Sequence, residues 1–217
     1  MMEALEVRFE LRTPMIEPAT VKSLDALLAW ASVQRAHFHG HDDPWQEQHV
    51  TGIAVHRVGE AWCPMASALE IEWADTSQPI HYFKRQSPIS YAEAWSNGLL
   101  KKRPYFDQKR GSTKAGSYVQ SARWTRGVRA WAMVEDRPLF ESLLPWVTHI
   151  GKLHHKDFGA VRSFQILPNE EAQSRWAQRT LPVGSLFATK QHVLSQAALV
   201  SPYWDRRNFR PVLSFCP

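Results

Sequence analysis

The chain has 217 residues, 44% hydrophobic and 22% charged, a globular composition that argues against disorder over its whole length. Its two cysteines, Cys63 and Cys216, are too few for a disulfide framework, so a reducing, cytoplasmic compartment is expected. No apolar run approaches the roughly 20 residues of a membrane span, and the N-terminus lacks a signal-peptide core, so we expect no membrane association.

Positive charge is concentrated in one segment. Between Lys84 and Arg129 the sequence holds eleven lysines and arginines against two acidic residues, a net charge of +9, whereas the whole chain carries +5. A basic segment on a mildly acidic body is typical of a protein that binds a polyanion. A solvated basic surface is the alternative.

The first elements follow from the spacing of apolar residues. Apolar and charged residues alternate over residues 5–11, which predicts a half-buried strand, and Pro14 ends it because proline cannot donate to a strand ladder. Thr20 is the expected N-cap of a following helix. The apolar face of that helix is expected to comprise Leu24, Leu27, Leu28 and Ala31.

The middle of the chain predicts a loop, two strands and an insertion. Residues 36–66 are rich in His, Gly, Asp and Pro and indicate a loop with at most one small element. Residues 68–73 and 80–89 predict two antiparallel strands. An insertion at about residues 90–127 lacks a sustained apolar period, which indicates an extended hairpin or a mobile arm.

The second half returns to the strand and helix pattern. Residues 128–134 predict a strand with one apolar side. Asp136 as N-cap and Pro138 in the first turn predict a helix, which Pro145 is expected to kink. Residues 161–166 predict the last core strand.

The order of these elements is β-α-β-β-α-β, that of the ferredoxin-like fold. Such a core is an α+β antiparallel sheet with helices on one face, and RNA-recognition domains bind RNA on the other face. We therefore expect a single domain over residues 1–217. It carries the basic insertion at about residues 90–127 and a wrapping C-terminal extension at about residues 170–217.

The segment GKLHHKDFGAV, residues 151–161, is the first candidate site. Its two glycines permit the positive φ values of anion-binding loops, and its lysines and histidines can donate to phosphate. A histidine pair acting as acid and base, or an ordinary connection with polar filling, is the alternative. The candidate residues are Gly151, Lys152, His154, His155, Lys156 and Gly159.

The basic insertion is the second candidate site. Lysine and arginine neutralise phosphates while aromatic rings stack on unpaired bases, so this mixture favours single-stranded nucleic acid over duplex. An inserted hairpin that packs its own rings is the alternative. The phosphate contacts are expected from Lys101, Lys102, Arg103, Lys109, Arg110, Lys114, Arg123 and Arg126, and the stacking contacts from Tyr105, Phe106, Tyr118 and Trp124.

A histidine-rich segment raises the question of a metal site. Its possible ligands are His37, His39, His41, Asp42, Asp43 and His49. Gly40 and Pro44 indicate a loop there, and known ligand spacings are absent, so we predict a polar surface loop and no metal or cofactor. The sequence also has no Walker A, Rossmann or GxSxG motif, which leaves serine or cysteine nucleophile chemistry without support.

Three motifs together resemble the RAMP superfamily of CRISPR-associated proteins. They are a strand that closes in a Thr-Pro turn (residues 9–14), the helix LDALLAWA (residues 24–31) and a GK-x(5)-FG-x-V loop (residues 151–161). Within that superfamily the chain is most similar to the small, Cas-five-like backbone subunit of type IV effector complexes that binds the 5′ handle of the guide RNA. The resemblance implies a ferredoxin-like core with a projecting thumb, in the place of the basic insertion.

The resemblance also implies that Gly151, Lys152 and Gly159 contact the guide-RNA backbone. Two features depart from the family pattern. Asp157 stands where a glycine or small residue often precedes Phe-Gly, and His154-His155 replace the commoner arginine or lysine. Because an acidic residue beside phosphate weakens binding, Asp157 needs a structural explanation.

The function implied by the resemblance is a non-catalytic subunit that caps the crRNA 5′ handle. Its partners would be the adjacent backbone and large subunits, with target DNA met only through the complex. One alternative is a metal-independent endoribonuclease that processes precursor crRNA, with His154 and His155, or His37, His39 and His41, as candidate residues. A nucleic-acid adaptor without a CRISPR role is the other.

Overall fold

A computed structural model describes residues 2–16, 22–84, 92–93, 95–98, 116–203 and 205–216, with the backbone alone for residues 75, 82–84, 116–118 and 155. Two compact units are present: Met1–Thr76 with Arg123–Pro217, and Ser77–Ala122. Among the described residues, no helix combines the length and apolar character needed to cross a membrane.

The described strands are β1 (Glu3–Leu11), β2 (Met15–Ile16), β3 (Val55–Val58), β4 (Ala61–Pro64), β5 (Glu70–Lys84), β6 (Gly116–Val134), β7 (Val161–Pro168), β8 (Leu181–Pro182), β9 (His192–Ala198) and β10 (Phe209–Phe215). The described α-helices are α1 (Leu24–Phe38), α2 (Arg137–Leu143) and α3 (Ala172–Arg175). Short 3-10 helices span Pro44–His49, Leu144–Trp146, His154–Lys156 and Arg206–Asn208.

A five-stranded sheet forms the centre of the larger unit. Its strands run in the order β7, β1, β6, with both β5 and the short β2 beside β6. β1 is antiparallel to β6 and to β7. The predicted mixed α/β fold with antiparallel sheets is therefore confirmed.

Helices α1 and α2 pack on one face of this sheet. Leu24, Leu28 and Ala31 of α1 are fully buried, as predicted, against alternate residues of β1 such as Val7. Burying one leucine side chain contributes about 1.5–3 kcal/mol, so this row of contacts fixes α1 on the sheet. Phe140 of α2 completes the same core.

The C-terminal extension forms its own sheet, in the order β8, β10, β9. Trp176 and Val212 of this extension pack on Trp131 and Met133, which point to the opposite side of β6 from the first core. The second sheet face is therefore only partly available for binding. The apolar residues at alternate β6 positions are the reason that the extension covers this part.

The predicted start of α1 is wrong. Ser23, not Thr20, is the residue before the helix; its φ of −110° and ψ of 156° are extended. Ser23 forms a β-bridge with Ala68, and the Leu24 amide donates to the Ser67 carbonyl at 3.0 Å. This bridge holds the chain extended up to the first helical residue. Thr20 lies outside the described residues.

The prediction of a loop over residues 36–66 is also largely wrong. α1 continues to Phe38, a 3-10 helix follows at Pro44–His49, and β3 and β4 form a hairpin. Gly59 lies in the two-residue turn of that hairpin with a φ of +57°, a conformation that favours glycine.

The strands predicted over residues 68–73 and 80–89 belong to one continuous strand, β5, which reaches Lys84; residues 85–89 lie outside the described residues. β6 likewise begins at Gly116, well before the predicted residue 128. Within the smaller unit, the hydroxyls of Ser77 and Ser121 are 2.6 Å apart. The backbones of β5 and β6 pair with each other, and this pairing continues both strands through polar sequence in which no alternation of apolar residues predicts a strand.

The predicted start of the second helix is confirmed. The Asp136 carboxylate accepts a hydrogen bond from the Leu139 amide at 3.0 Å, and Pro138 lies in the first turn. The α-helix ends at Leu143, and a 3-10 turn continues through Pro145. The kink predicted at Pro145 is therefore the end of the α-helix, because proline has no amide to continue the helical hydrogen bonds.

Candidate nucleic-acid interface

The glycine-containing loop before β7 folds back on the turn that ends β1. The Gly159 amide donates to the Pro14 carbonyl at 2.9 Å, and the Ala160 amide donates to Thr13 Oγ1 at 2.9 Å. These bonds join two parts of the sequence that are more than 140 residues apart. The Thr-Pro turn and the loop, two separate motifs in sequence, therefore form one structural unit.

Both glycines of the loop have a packing role. A Cβ atom on Gly159 would lie 1.9 Å from the Ile150 carbonyl oxygen, and one on Gly151 would lie 2.7 Å from Met15 Cγ. Their φ angles, +68° and +102°, also favour glycine. This accounts for glycine at both positions, and their contact with RNA stays a prediction.

Contacts with His149, Arg12 and Thr13 attach Asp157 to this unit. Its carboxylate lies 3.3 Å from His149 Nε2 and accepts a hydrogen bond from Arg12 Nη2 at 3.0 Å. Its carbonyl accepts a further bond from Thr13 Oγ1 at 2.6 Å. The contacts with His149 and Arg12 hold the pKa of Asp157 below its usual value. A carboxylate engaged in this way has a structural role and is partly neutralised, which explains the departure from the family pattern.

Several amides of the loop already have partners. The Lys156 amide donates to the Leu153 carbonyl at 2.8 Å, and the Asp157 amide to the His154 carbonyl at 2.9 Å. With the Gly159 amide also bonded, these groups do not form the outward-pointing phosphate cradle that the sequence suggested. Phosphate contacts of the loop would therefore depend mainly on side chains.

The predicted side chains of the loop are placed as follows. Lys152 forms a β-bridge with Ile16, and His154 and Lys156 are exposed. The side chain of His155 lies outside the described residues. The His154 ring is 6.4 Å from that of His149, a residue that the sequence reasoning missed. The sequence feature that could have identified His149 is its position eight residues before Asp157, the only acidic residue of the segment 151–161.

A polar groove of about 300 Å³ lies on the uncovered part of the sheet. It crosses β1, β6 and β7, because Phe9 pairs with Val128 on one side and with Phe164 on the other. The polar groups that line it are Arg8, Glu10, Glu72, Arg126, Arg129, Ser163 and Gln165. Of these, the sequence reasoning named only Arg126 as a binding residue. Alternation of apolar and polar residues was the available sequence signal for Arg8 and Glu10 on β1 and for Ser163 and Gln165 on β7.

Carboxylates position the arginines of the groove. Arg8 donates to Glu6 at 2.7 Å, and Arg129 donates to Glu70 at 2.5 Å. Glu6 is only 2% exposed, and its hydrogen bond with Arg8 keeps its pKa below the usual value in spite of burial. Asn169 supports the same carboxylate at 2.8 Å. The guanidinium groups are thus oriented, and their charges are partly compensated.

Three of the predicted nucleic-acid contacts in the basic segment have described side chains, and all three lie on β6. Arg123 stacks over Trp73 at 4.9 Å, Arg126 lies 3.9 Å from Glu72, and Trp124 is 41% exposed. Lys101, Lys102, Arg103, Tyr105, Phe106, Lys109, Arg110 and Lys114 lie outside the described residues, as does the side chain of Tyr118. The roles predicted for these residues stay predictions.

The histidine-rich segment has local contacts of its own. In the part of the chain that the structure describes, no group of three or more His, Cys, Asp or Glu side chains is arranged to hold a metal. His39 packs edge-on against Phe38, and His49 against Trp62. Asp43 accepts from the Trp45 amide and so caps the 3-10 helix.

The loop and the groove meet at one end of the sheet. Leu11, the last residue of β1, pairs with Val161, the first residue of β7. Glu10, one position earlier, accepts hydrogen bonds from Arg162 and from Ser163, each at 3.0 Å. The loop therefore begins where the groove ends, and the two candidate surfaces are continuous.

Comparison with known proteins assigns the family. Among solved structures, one chain of the cryo-EM structure of Type III-B Cmr-beta bound to cognate target RNA is similar at 8% identity and a TM-score of 0.41. The match covers 77% of this chain and 61% of that chain, less than two thirds of its length. No curated protein matches significantly. The family model of Csf3, described as a CRISPR type IV associated protein, matches residues 3–215. As the sequence resemblance predicted, the chain belongs to this type IV CRISPR-associated family.

Proposed function

We propose that this chain is a non-catalytic crRNA-binding subunit of a type IV CRISPR effector complex, and that it caps the 5′ handle of the guide RNA. Membership of the type IV family supports a place in a CRISPR ribonucleoprotein. The observation that carries RNA binding is the continuity of loop and groove through the Leu11–Val161 pair. A single strand could follow both without leaving the surface.

The proposal includes a ferredoxin-like core. The strand order β7, β1, β6, β5 supports it, since that topology places its first strand between the fourth and the third. α1 follows β1 and α2 follows β6 in the chain, as the topology requires.

In this proposal the RNA backbone lies along the groove. Arg126 and Arg129 contact phosphates, while Ser163 and Gln165 offer hydrogen bonds to base edges or 2′-hydroxyls. Each arginine exchanges a carboxylate partner for phosphate. Because an exposed ion pair contributes only about 0.2–1 kcal/mol, this exchange costs little. The basic segment from Lys84 to Arg129, with its net charge of +9, supplies the long-range attraction.

Titration of a 5′-handle RNA into Arg126→Gln and Arg129→Gln variants at several salt concentrations tests the proposal. Each variant is expected to bind several-fold more weakly and to lose about 0.7 from the slope of log affinity against log salt. Arg207→Gln is the matched control, because Arg207 is an exposed arginine paired with Asp205 on the C-terminal extension. A flat salt response, or an equal effect of the control, would refute RNA binding by the groove.

The second candidate function is metal-independent RNA cleavage. His149 has a carboxylate neighbour in Asp157 and a second histidine, His154, at 6.4 Å between ring centroids. One imidazole would take the proton of a 2′-hydroxyl as it attacks the adjacent phosphorus, and the other would protonate the leaving 5′-oxygen. The products would be a 2′,3′-cyclic phosphate and a 5′-hydroxyl.

Incubation of precursor RNA with the protein in EDTA separates the two functions. The non-catalytic proposal predicts intact RNA. Cleavage that His149→Ala abolishes, with RNA affinity retained, would replace it with the enzymatic one.

A further inference from the structure

An aromatic ridge lies on the surface of α1 and its neighbours. We define it by Trp30, Phe38, Trp45 and Trp146. Trp30 and Trp45 are each 49% exposed, and Phe38 is 74% exposed. The Trp30 and Trp45 rings are 6.0 Å apart, and the Phe38 and Trp146 rings are 5.3 Å apart.

The ridge runs along one side of the helix. Trp30 and Phe38 are eight residues apart, which places them about 12 Å apart along the helix and about 80° apart around it. The 3-10 helix Pro44–His49 packs along α1 and brings Trp45 beside Trp30. Large aromatic side chains each have about 150–250 Å² to bury, so the ridge leaves a few hundred Å² of apolar surface uncovered. Patches of that size on soluble proteins mark interaction sites.

The charge around the ridge argues against RNA as its occupant. From residue 36 to residue 56 the sequence contains no lysine or arginine, and it contains Asp42, Asp43 and Glu47. Arg35 keeps its charge, because its hydrogen-bond acceptor, Ser142 Oγ at 2.7 Å, is neutral, so residues 35–56 carry a net charge of −2. Phosphate would be repelled by this acidic border. A protein surface with apolar anchors and a basic border is complementary to it.

The ridge and the groove lie on opposite sides of the sheet. α1 covers the face to which Val7 and Phe9 point, and both are buried beneath it. The groove is lined by Arg8 and Glu10, the alternate residues of β1. The chain can therefore hold RNA on one side while a protein binds the other.

We infer that the aromatic ridge is the docking surface for a neighbouring protein subunit of the same ribonucleoprotein, one that presents apolar side chains within a border of lysine and arginine. The inference rests on the proposed function for the identity of the complex. Buried aromatic anchors dominate the energetics of protein interfaces, so loss of one central ring is expected to weaken docking about 30-fold or more.

The test uses a complex co-expressed from the remaining protein subunits and a guide RNA, to which the separately purified chain is added. Binding is measured for wild type, for Trp30→Ala and for Phe38→Ala. Phe209→Ala is the matched control, since Phe209 is a 44% exposed phenylalanine on the C-terminal sheet. Asp42→Lys probes the border, and it is expected to weaken docking several-fold more at low salt than at high salt.

The expected result is weaker docking of both ridge variants, with the control unchanged and the affinity of the isolated chain for 5′-handle RNA unaltered. Equal docking of wild type and ridge variants, or an equal loss with Phe209→Ala, would overturn the inference. A parallel loss of RNA affinity in the isolated variants would also overturn it, because the ridge would then bind RNA. Failure of the wild-type chain to bind RNA, with docking still dependent on the ridge, would reject the proposed RNA function alone.

Discussion

Arg12 Nη2 donates a hydrogen bond to the carboxylate of Asp157 at 3.0 Å, and this contact links the turn after β1 to the loop before β7. Both side chains are 56% exposed, so the ion pair adds little to stability. The effect of this ion pair is to position the Asp157 side chain. It directs the one acidic side chain of the loop toward an arginine of the same chain.

Asp157→Asn tests that role. Asparagine tolerates the positive φ of +64° at this position, so the substitution removes the charge and keeps the backbone. We expect RNA affinity to stay within about 2-fold of wild type, and hydrogen exchange at the Gly159 and Ala160 amides to accelerate as the loop loosens. Asp205→Asn, which removes the same charge from an Arg207 pair elsewhere, is the control. A large gain in RNA affinity for Asp157→Asn alone would show that the carboxylate opposes phosphate.

Gly159→Ala should destabilise the protein more than Gly40→Ala does. Both glycines have positive φ, +68° and +75°, which costs an alanine about 1–2 kcal/mol. Gly40 has open space around the position of a Cβ atom, whereas Gly159 faces the Ile150 carbonyl oxygen at 1.9 Å. Crowding adds about 1–3 kcal/mol, measured as the difference in free energy of unfolding by urea. Equal costs for the two variants would contradict this packing.

The buried ion pair of Arg179 and Asp25 should be costly to break. Both side chains are 2–3% exposed and are 2.9 Å apart, and Asp25 also accepts a hydrogen bond from Tyr203. Arg179→Met is expected to cost about 3–5 kcal/mol in urea unfolding, because it leaves a buried carboxylate without its cation.

Adding Asp25→Leu to Arg179→Met should recover only part of that loss. The carbonyls of Pro64 and Leu199, each 2.9 Å from the guanidinium, still lose their donor. A cost below about 1 kcal/mol for the single variant would show that the pair does not fasten the extension to α1.

Glu6→Gln should reduce the stability that the protein loses as the pH falls from neutral to acidic values. The hydrogen bond from Arg8 keeps the pKa of Glu6 below its value in the unfolded chain, so ionised Glu6 stabilises the fold above that unfolded value. This stability is lost as the pH falls through the lower, folded pKa. Melting temperatures of wild type and variant should therefore differ at pH 7 and converge toward pH 3. A constant difference across that range would contradict the assignment.

The two cysteines should differ in reactivity. Burial raises the pKa of the Cys63 thiol to about 11, whereas Cys216 is exposed. A thiol reagent at pH 8 is expected to modify Cys216 rapidly in the native protein and Cys63 only after unfolding, because the thiolate is the reactive form. Rapid modification of both thiols under native conditions would place Cys63 outside the core.

The strongest local patterns led to correct predictions. Alternation over residues 5–11 became β1, and Asp136 with Pro138 marked the start of α2. The full lengths of β5 and β6 were not predicted. Their polar sections form strands by pairing with each other, and the spacing of residues within either section does not show that pairing. The start of α1 was misplaced because the bridge of Ser23 with Ala68 is a tertiary contact.

The candidate site was likewise predictable from the sequence only in part. Sequence by itself determined that positive charge concentrates between Lys84 and Arg129, that a glycine loop precedes β7, and that the chain resembles a type IV CRISPR family, since these depend on residue identity and order. Only the tertiary structure decided that His149 and Arg12 meet Asp157, and that the loop is continuous with a groove on the sheet. Those relationships arise from strand register and chain reversal, which bring Arg12 to Asp157 across 145 positions and turn the loop so that His149 meets Asp157 eight positions away.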